Sequence, residues 1–246
     1  MGVVRTAAAL IIGNEILTGK TADTNLLVMA RTLRELGISL ERALVVRDEV
    51  QQIARDVHAL SAGHDLVLTS GGLGPTHDDL TVDAVAQAFG VATVIPPELR
   101  AEIERHAGAE LSDGHLRMAR VPEGARLVRS AQSSWPTIVM RNVWLFPGVP
   151  HVLSRKMALL RAEFADGKPF ASLRLRTKLD ECVLKPLLDA VVQGHPNVQV
   201  GSYPHWRECG YHTEITFDAG DEPVARAARD ALQALLPADS ELPLDD

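Results

Sequence analysis

The sequence predicts an α/β protein built on a mainly parallel sheet and followed by a smaller α+β module. Three observations carry that expectation. Strand-length apolar runs alternate with amphipathic helical stretches from residue 5 to residue 95. A glycine loop joins an apolar run to a helix within 65–89, and the pattern changes after the linker Ala165-Asp166-Gly167-Lys168-Pro169. Strict alternation implies parallel strands joined by right-handed helical crossovers.

Residues 5–12 read as the first core strand, because this apolar stretch is too short to span a membrane and runs straight into Gly13-Asn14-Glu15. The first helix, 23–36, has Asp23 or Thr24 as cap, Leu26, Ala30 and Leu33 along one side, and Gly37 as its stop. A strand at 40–46 leads to a helix at 49–62, with Val50, Ile53, Val57 and Leu60 at helical spacing. Residues 65–69 have the continuous apolar character of a buried parallel strand. The helix 79–89 turns Val82, Val85, Ala86 and Phe89 to one face, and a strand at 91–95 follows. Pro96 and Pro97 open a helix over 97–107; 107–114 reads as loose, and 116–120 as a short helical turn. Thr137–Met140 and Val143–Phe146 flank Arg141-Asn142 as a hairpin with a two-residue turn. Pro147-Gly148-Val149-Pro150 ends it before a helix at 151–165. With the boundary at 167/168, the second module comprises strand 171–177, helix 180–192, strands 198–203 and 211–218, and helix 222–235. Its end, 237–246, is acidic and proline-containing and is expected to fray.

With 246 residues, 46% of them hydrophobic, the chain accommodates one large domain or one medium and one small. A net charge of −7 argues against general nucleic-acid binding, which needs a concentrated positive field. Cys182 and Cys209 match neither a disulfide framework nor zinc spacing, which points to a reducing cytoplasm. The expected partner is therefore a small molecule rather than nucleic acid or membrane.

The run Ser70-Gly71-Gly72-Leu73-Gly74-Pro75-Thr76-His77-Asp78-Asp79 is the main candidate site. Backbone N–H groups of a glycine loop before a helix attract anions, whereas paired carboxylates repel them unless a cation or an N–H donor intervenes. The combination suits a phosphorylated ligand with a metal, or a ligand with phosphate and amine-rich ends. The plain alternative is a tight turn with Asp78 or Asp79 as helix cap. Gly13 to Thr21 imitates a P-loop, but five residues separate Gly13 from Gly19 where that motif needs four. Glu15, Thr18 and Asn25 remain suited to ligand contact or to turns and caps. Asp48 follows the strand 40–46, so it stands on the same sheet edge as both loops, as ligand group or as helix cap. Carboxylates gathered from separate strand ends can hold a divalent ion or clasp the aminopyrimidine edge of a pterin. His77 is a metal ligand, a proton shuttle or merely solvated. No HExxH, GxSxG or Cys/His signature is present.

Gly13–Gly19 (GNEILTG), Asn25, Val46–Asp48 (VRD) and above all Ser70–Thr81 (SGGLGPTHDDLT) resemble the MoaB/Mog-type molybdopterin-binding domain. The variants most similar are competence/damage-inducible protein A (CinA) and the N-terminal domain of eukaryotic FAD synthases. The resemblance covers 1–165, and Val200-Gly201-Ser202-Tyr203-Pro204 resembles the small module that follows in these relatives. It implies a three-layer α/β/α fold, a cleft at the glycine loop, and a homo-oligomer, dimer or trimer. Asp48 and Asp78 or Asp79 match acidic residues that bind the pterin in cofactor-synthesis relatives, while the CinA branch is associated with metal-dependent hydrolysis of ADP-ribose-like pyrophosphates.

The resulting expectation has Asp48, Asp78 and Asp79 as catalytic residues, with Asp78 and Asp79 holding a divalent metal such as Mg²⁺. Gly13, Glu15, Thr18, Asn25, Ser70, Gly71, Gly72, Leu73, Gly74, Pro75, Thr76, Pro147 and Gly148 contact the ligand, a dinucleotide or, alternatively, molybdopterin. Two departures stand out. Ser130–Pro136 (SAQSSWP) lacks the Asn and Gly usual ahead of the Pro147-Gly148 loop, which alters one wall of the site. The sequence also stops where full CinA proteins continue into a nicotinamide-mononucleotide deamidase domain, so that activity is not expected. The competing functions are a metal-dependent dinucleotide pyrophosphatase, a carrier of pterin or nucleotide without turnover, and an interaction module that has lost its ligand; the intact loop argues against the last.

Overall fold

β1 (Arg5–Ile12) carries alternate side chains into two different cores. Ala8, Leu10 and Ile12 pack with Ile53, Val57 and Leu60 on one face of the sheet, and Ala7, Ala9 and Ile11 pack with Met29, Leu33, Leu153 and Met157 on the other. A strand buried on both faces has to be apolar throughout, and that makes this unit a three-layer α/β/α sandwich. The structure is a computed structural model. It describes residues 5–130, 133–207 and 210–244, with the side chains of all but 130, 133, 134, 206, 207, 210 and 211. The chain divides into the units Met1–Gly167 and Lys168–Asp246.

After β1 come α1 (Asn14–Leu17), α2 (Asn25–Glu35), β2 (Ile38–Val46), α3 (Val50–Gly63), β3 (Leu66–Ser70) and α4 (Thr81–Phe89). β4 (Thr93–Val94), α5 (Pro97–Ala107), α6 (Asp113–Met118), β5 (Val121–Pro122), β6 (Arg126–Ser130), β7 (Ser133–Met140), β8 (Val143–Phe146) and α7 (Pro150–Glu163) complete the unit. The sheet order is β2-β1-β3-β8-β7-β6. The first four strands are mutually parallel, and β7 and β6 run antiparallel at one side. The expected hairpin turn at Arg141-Asn142 is present, with Met140 opposite Val143. Asn142 Nδ2 donates to the carbonyls of Ser61 and His64 at 3.0 and 2.8 Å, fastening the turn to the end of α3.

Three local expectations are corrected. The stretch 91–95 does not join the main sheet: only Thr93–Val94 is extended, paired antiparallel with Val121–Pro122, because Pro96 and Pro97 end the strand at once. Asn14–Leu17 is a helical turn rather than a loop. α6 begins at Asp113, within the segment expected to be loose.

In the second unit, β9 (Ala171–Thr177), α8 (Glu181–Gly194), β10 (Gln199–Arg207), β11 (Gly210–Ala219), α9 (Glu222–Leu235) and β12 (Glu241–Leu242) form an antiparallel sheet of order β10-β11-β9-β12 under two helices. Leu175, Ile215 and Phe217 face Leu184, Val191, Ala228 and Leu232. Asp180 caps α8 by accepting from the N–H groups of Cys182 and Val183. The tail expected to fray is instead paired: β12 adds to β9, and Ser240 O accepts from Lys178 N and Thr177 Oγ1, both at 2.8 Å. β9 would otherwise leave a row of unpaired backbone groups, and the tail covers it. Residues 245 and 246, like Cys209, lie outside the described residues. No helix among the described residues is long and apolar enough to cross a membrane.

Candidate functional site

The C-terminal ends of β1, β2, β3 and β8 share one sheet edge, and the order of connection reverses between β1 and β3, the place where open α/β sheets bind ligands. The strand ends meet at Gly71. Its φ is +107°, its N–H donates to Phe146 O at 3.1 Å, and a Cβ would lie 2.1 Å from Ile12 O. Gly148 reaches the same point, where a Cβ would stand 3.3 Å from the Gly71 Cα. Thr81, fully buried at the start of α4, ties the loop down: its Oγ1 donates to Gly71 O at 2.7 Å and its N–H to Gly72 O at 3.1 Å.

Neither Asp78 nor Asp79 caps α4, whose N-cap position is Leu80 without a side-chain cap. Asp79 braces the loop instead, accepting from Thr76 N at 2.8 Å and Thr76 Oγ1 at 2.6 Å. Asp48 does not cap α3 either. Its carboxylate accepts from Asn14 N at 2.8 Å, which joins the end of β2 to the loop after β1. Burial pushes the Asp48 carboxyl up; the Asn14 N–H opposes this, and the charges of Glu15 and Asp78 add to the rise. Asp78 is exposed and held below the usual carboxylate range by the neighbouring Thr76 hydroxyl and its own N–H, with His77 and Arg117 adding. The two carboxyls are thus pushed apart in acidity. Thr18 turns back, its Oγ1 donating to Asn14 O at 2.9 Å.

Some of the predicted residues line one or other of two cavities, and the rest line neither. Gly72, Leu73, Gly74, Asp79 and Pro147 line a cavity of about 370 Å³. Asn25, Ser70 and Gly148 line a smaller one of about 70 Å³. There the 4%-exposed Asn25 donates to Ser70 Oγ at 2.9 Å and Gly148 O at 2.7 Å, while its Oδ1 is buried without a hydrogen-bond partner among the described residues. Gly13, Glu15, Thr18, Asp48, Gly71, Pro75, Thr76 and Asp78 line neither cavity.

The larger cavity has a wall that sequence reasoning missed: Arg117 and Arg120 from α6 and its end, and Arg155 and Lys156 from α7, around Val82, Met118, Trp135, Ile138, Leu145 and Val152. Arg120 is committed to Asp83 through Nη1 and Nη2, and Thr93 Oγ1 donates to the same carboxylate at 3.1 Å. Arg117 Nη2 donates to Asp79 O at 3.1 Å, and its Nε is buried without a partner among the described residues. Lys156 donates to Trp135 O at 2.7 Å and Thr137 Oγ1 at 3.0 Å. A signal for Lys156 existed, since it shares the helical stripe Leu153, Lys156, Met157, Leu160, whose other members are apolar. Of the departing segment Ser130–Pro136, Trp135 and Pro136 line the cavity, while 131 and 132 lie outside the described residues.

Among the described residues no group of three or more His, Cys, Asp or Glu is placed to hold a metal ion. One oxygen of Asp79 is already engaged by Thr76. A divalent ion at Asp78 and Asp79 therefore fits only if the ligand's phosphate oxygens and water complete its shell, the habit of Mg²⁺ at phosphate sites.

The sequence profile of the family described as probable molybdopterin binding domain matches residues 8–165, and that of the FAD synthase middle domain matches 169–245. A probable FAD synthase from Caenorhabditis briggsae is 31% identical over 262 residues, taking in 96% of this chain and 50% of that protein. A CinA-like protein of Citrifermentans bemidjiense is 32% identical over 255 residues, 97% of this chain and 61% of its own length. The chain thus spans about half the length of the first relative. Among solved structures, the protein CinA with unknown function from Thermoplasma acidophilum matches with a TM-score of 0.60 and 30% identity, covering 65% of this chain and 98% of that one.

Proposed function

Because this chain belongs to the probable molybdopterin binding domain family and is CinA-like over nearly its whole length, we propose that it binds a dinucleotide of the ADP-ribose or FAD class and hydrolyses its pyrophosphate with a divalent metal. One observation carries the reading: in a chain of net charge −7, the cavity beside the glycine loop is walled by four cations, Arg117, Arg120, Arg155 and Lys156, against two carboxylates, Asp79 and the Arg120-paired Asp83. Such a wall favours an anion, and the backbone of Gly72 and Gly74 offers a place for one phosphate. The apolar surface of Trp135, Ile138, Leu145 and Val152 suits a heterocycle or sugar.

Asp78, kept ionised, and Asp79 would hold the metal together with ligand phosphate oxygens. When bound, the ion neutralises the pyrophosphate and lowers the pKa of an attacking water. Asp48, which lines neither cavity but lies within electrostatic reach of Asp78 and is pushed up by burial, is the carboxylate assigned to take the proton of a water at the Asp78 edge of the site. Arg117 steadies the Asp79 backbone from inside the cavity. Self-association as a dimer or trimer belongs to the same reading and is measured by sedimentation.

A second reading, a pterin or nucleotide held without turnover, is favoured by the lack of a three-ligand metal group among the described residues. Incubation with ADP-ribose and FAD plus Mg²⁺, Mn²⁺ or Co²⁺ separates the two. AMP release that disappears in Asp78→Asn and Asp79→Asn supports hydrolysis. Thermal stabilisation by the same ligands that survives chelation, with no AMP released, supports the carrier.

A further inference from the structure

Lys156 is 4% exposed and lines the large cavity. Its ammonium has three N–H donors, and the two hydrogen bonds it makes go to neutral oxygens, Trp135 O and Thr137 Oγ1. Burial lowers its pKa from 10.5 to about 8. A buried charge ordinarily requires a counter-charge. Two carboxylates line the cavity, and neither takes a hydrogen bond from Lys156: Asp83 is paired with Arg120 and one oxygen of Asp79 accepts from Thr76, while Arg117, Arg120 and Arg155 repeat the sign of Lys156.

We propose that Lys156 is a specificity-determining residue whose missing counter-charge is a second oxyanion of the ligand, bound at the β7 wall while the glycine loop holds the first. The ligand class is accordingly an organic diphosphate rather than a monophosphate. This rests on the phosphate-binding reading above, which assigns the glycine loop its anion but gives Lys156 no separate task.

The experiment is calorimetric titration of ADP-ribose and of AMP, with a chelator present to prevent turnover, into the full chain and its Lys156→Met and Lys156→Arg variants at pH 7 and pH 9.5. Methionine matches the length of lysine and removes the buried charge together with its bonds to Trp135 O and Thr137 Oγ1, and the thermal transition of each variant is recorded alongside. Loss of a charge-assisted hydrogen bond should weaken ADP-ribose about tenfold to a hundredfold in Lys156→Met, with AMP changed less than about threefold and much of the ADP-ribose affinity kept in Lys156→Arg. Arginine and aspartate do not titrate between pH 7 and 9.5. The advantage of the unaltered chain over Lys156→Met should therefore shrink to about fourfold or less by pH 9.5 as the free chain's Lys156 loses its proton. ADP-ribose binding equally well to Lys156→Met at pH 7, or both ligands weakened alike, overturns the role of Lys156 and leaves the phosphate site standing. If neither ligand binds the unaltered chain, with the chelator or with the divalent ion restored, the phosphate-site reading fails and takes this one with it.

Discussion

Replacing Gly71 by alanine tests whether the meeting of strand ends is as tight as the geometry requires. Two costs add. At φ +107° an L-residue is strained, a penalty of about 1–3 kcal/mol. The new Cβ would also stand 2.1 Å from Ile12 O, a backbone atom of β1, a strand paired on both sides, that cannot rotate away. Overpacking of that kind costs a further 1–3 kcal/mol or so, so Gly71→Ala should destabilise the first unit by roughly 2–6 kcal/mol. At about 2–4 °C per kcal/mol for a unit of this size, the transition should fall by at least about 4 °C and by as much as about 24 °C. Gly90→Ala is the control, because Gly90 also has positive φ, +67°, but nothing within 4 Å of the added methyl. Backbone strain alone, about 1–2 kcal/mol, should act there. Differential scanning calorimetry of the full chain measures both. Equal shifts for Gly71→Ala and Gly90→Ala would mean that Ile12 moves aside freely and that the strand ends are not locked.

Two further outcomes follow from the titrating groups. The folded-state pKa of Lys156 lies below its unfolded value, so the penalty for burying its charge is fully present below about 8. That penalty is relieved as pH rises from about 8 towards 10.5, where the unfolded chain binds more protons than the folded one. Urea denaturation should show stability rising by up to about 3 kcal/mol over that interval, a rise absent from Lys156→Met; parallel curves would show that Lys156 is not buried as a charge. Asp48 has the opposite sign: burial disfavours its ionised form, so stability attributable to it increases as pH falls through its raised folded value. Asp48→Asn should therefore leave the thermal transition at pH 7 unchanged or higher while AMP release collapses, and a fall of more than about 4 °C would instead mark Asp48 as a structural anchor for Asn14.

The sheet was legible because an interior strand faces helices on both sides and must be apolar wherever it is covered, which sequence alone displays at 7–12. The same rule misplaced 91–95, where an apolar run of strand length is cut to two residues by the prolines that follow it. Asp79 shows a subtler limit. Composition offered helix cap or metal ligand, and the fold adds a third role: its carboxylate takes the N–H and hydroxyl of Thr76 and shapes the loop itself. The cationic wall was not legible as a wall, since Arg117 and Arg120 come from 113–120 and Arg155 and Lys156 from a helix beginning at Pro150, and no local spacing links them. Only Lys156 carried its own signal, a cation on an apolar stripe. The motif at 70–79 thus marks where an anion can sit. What that anion is attached to depends on side chains that β7, α6 and α7 bring from elsewhere, and relatives sharing the loop are free to differ at those positions and so in what they bind.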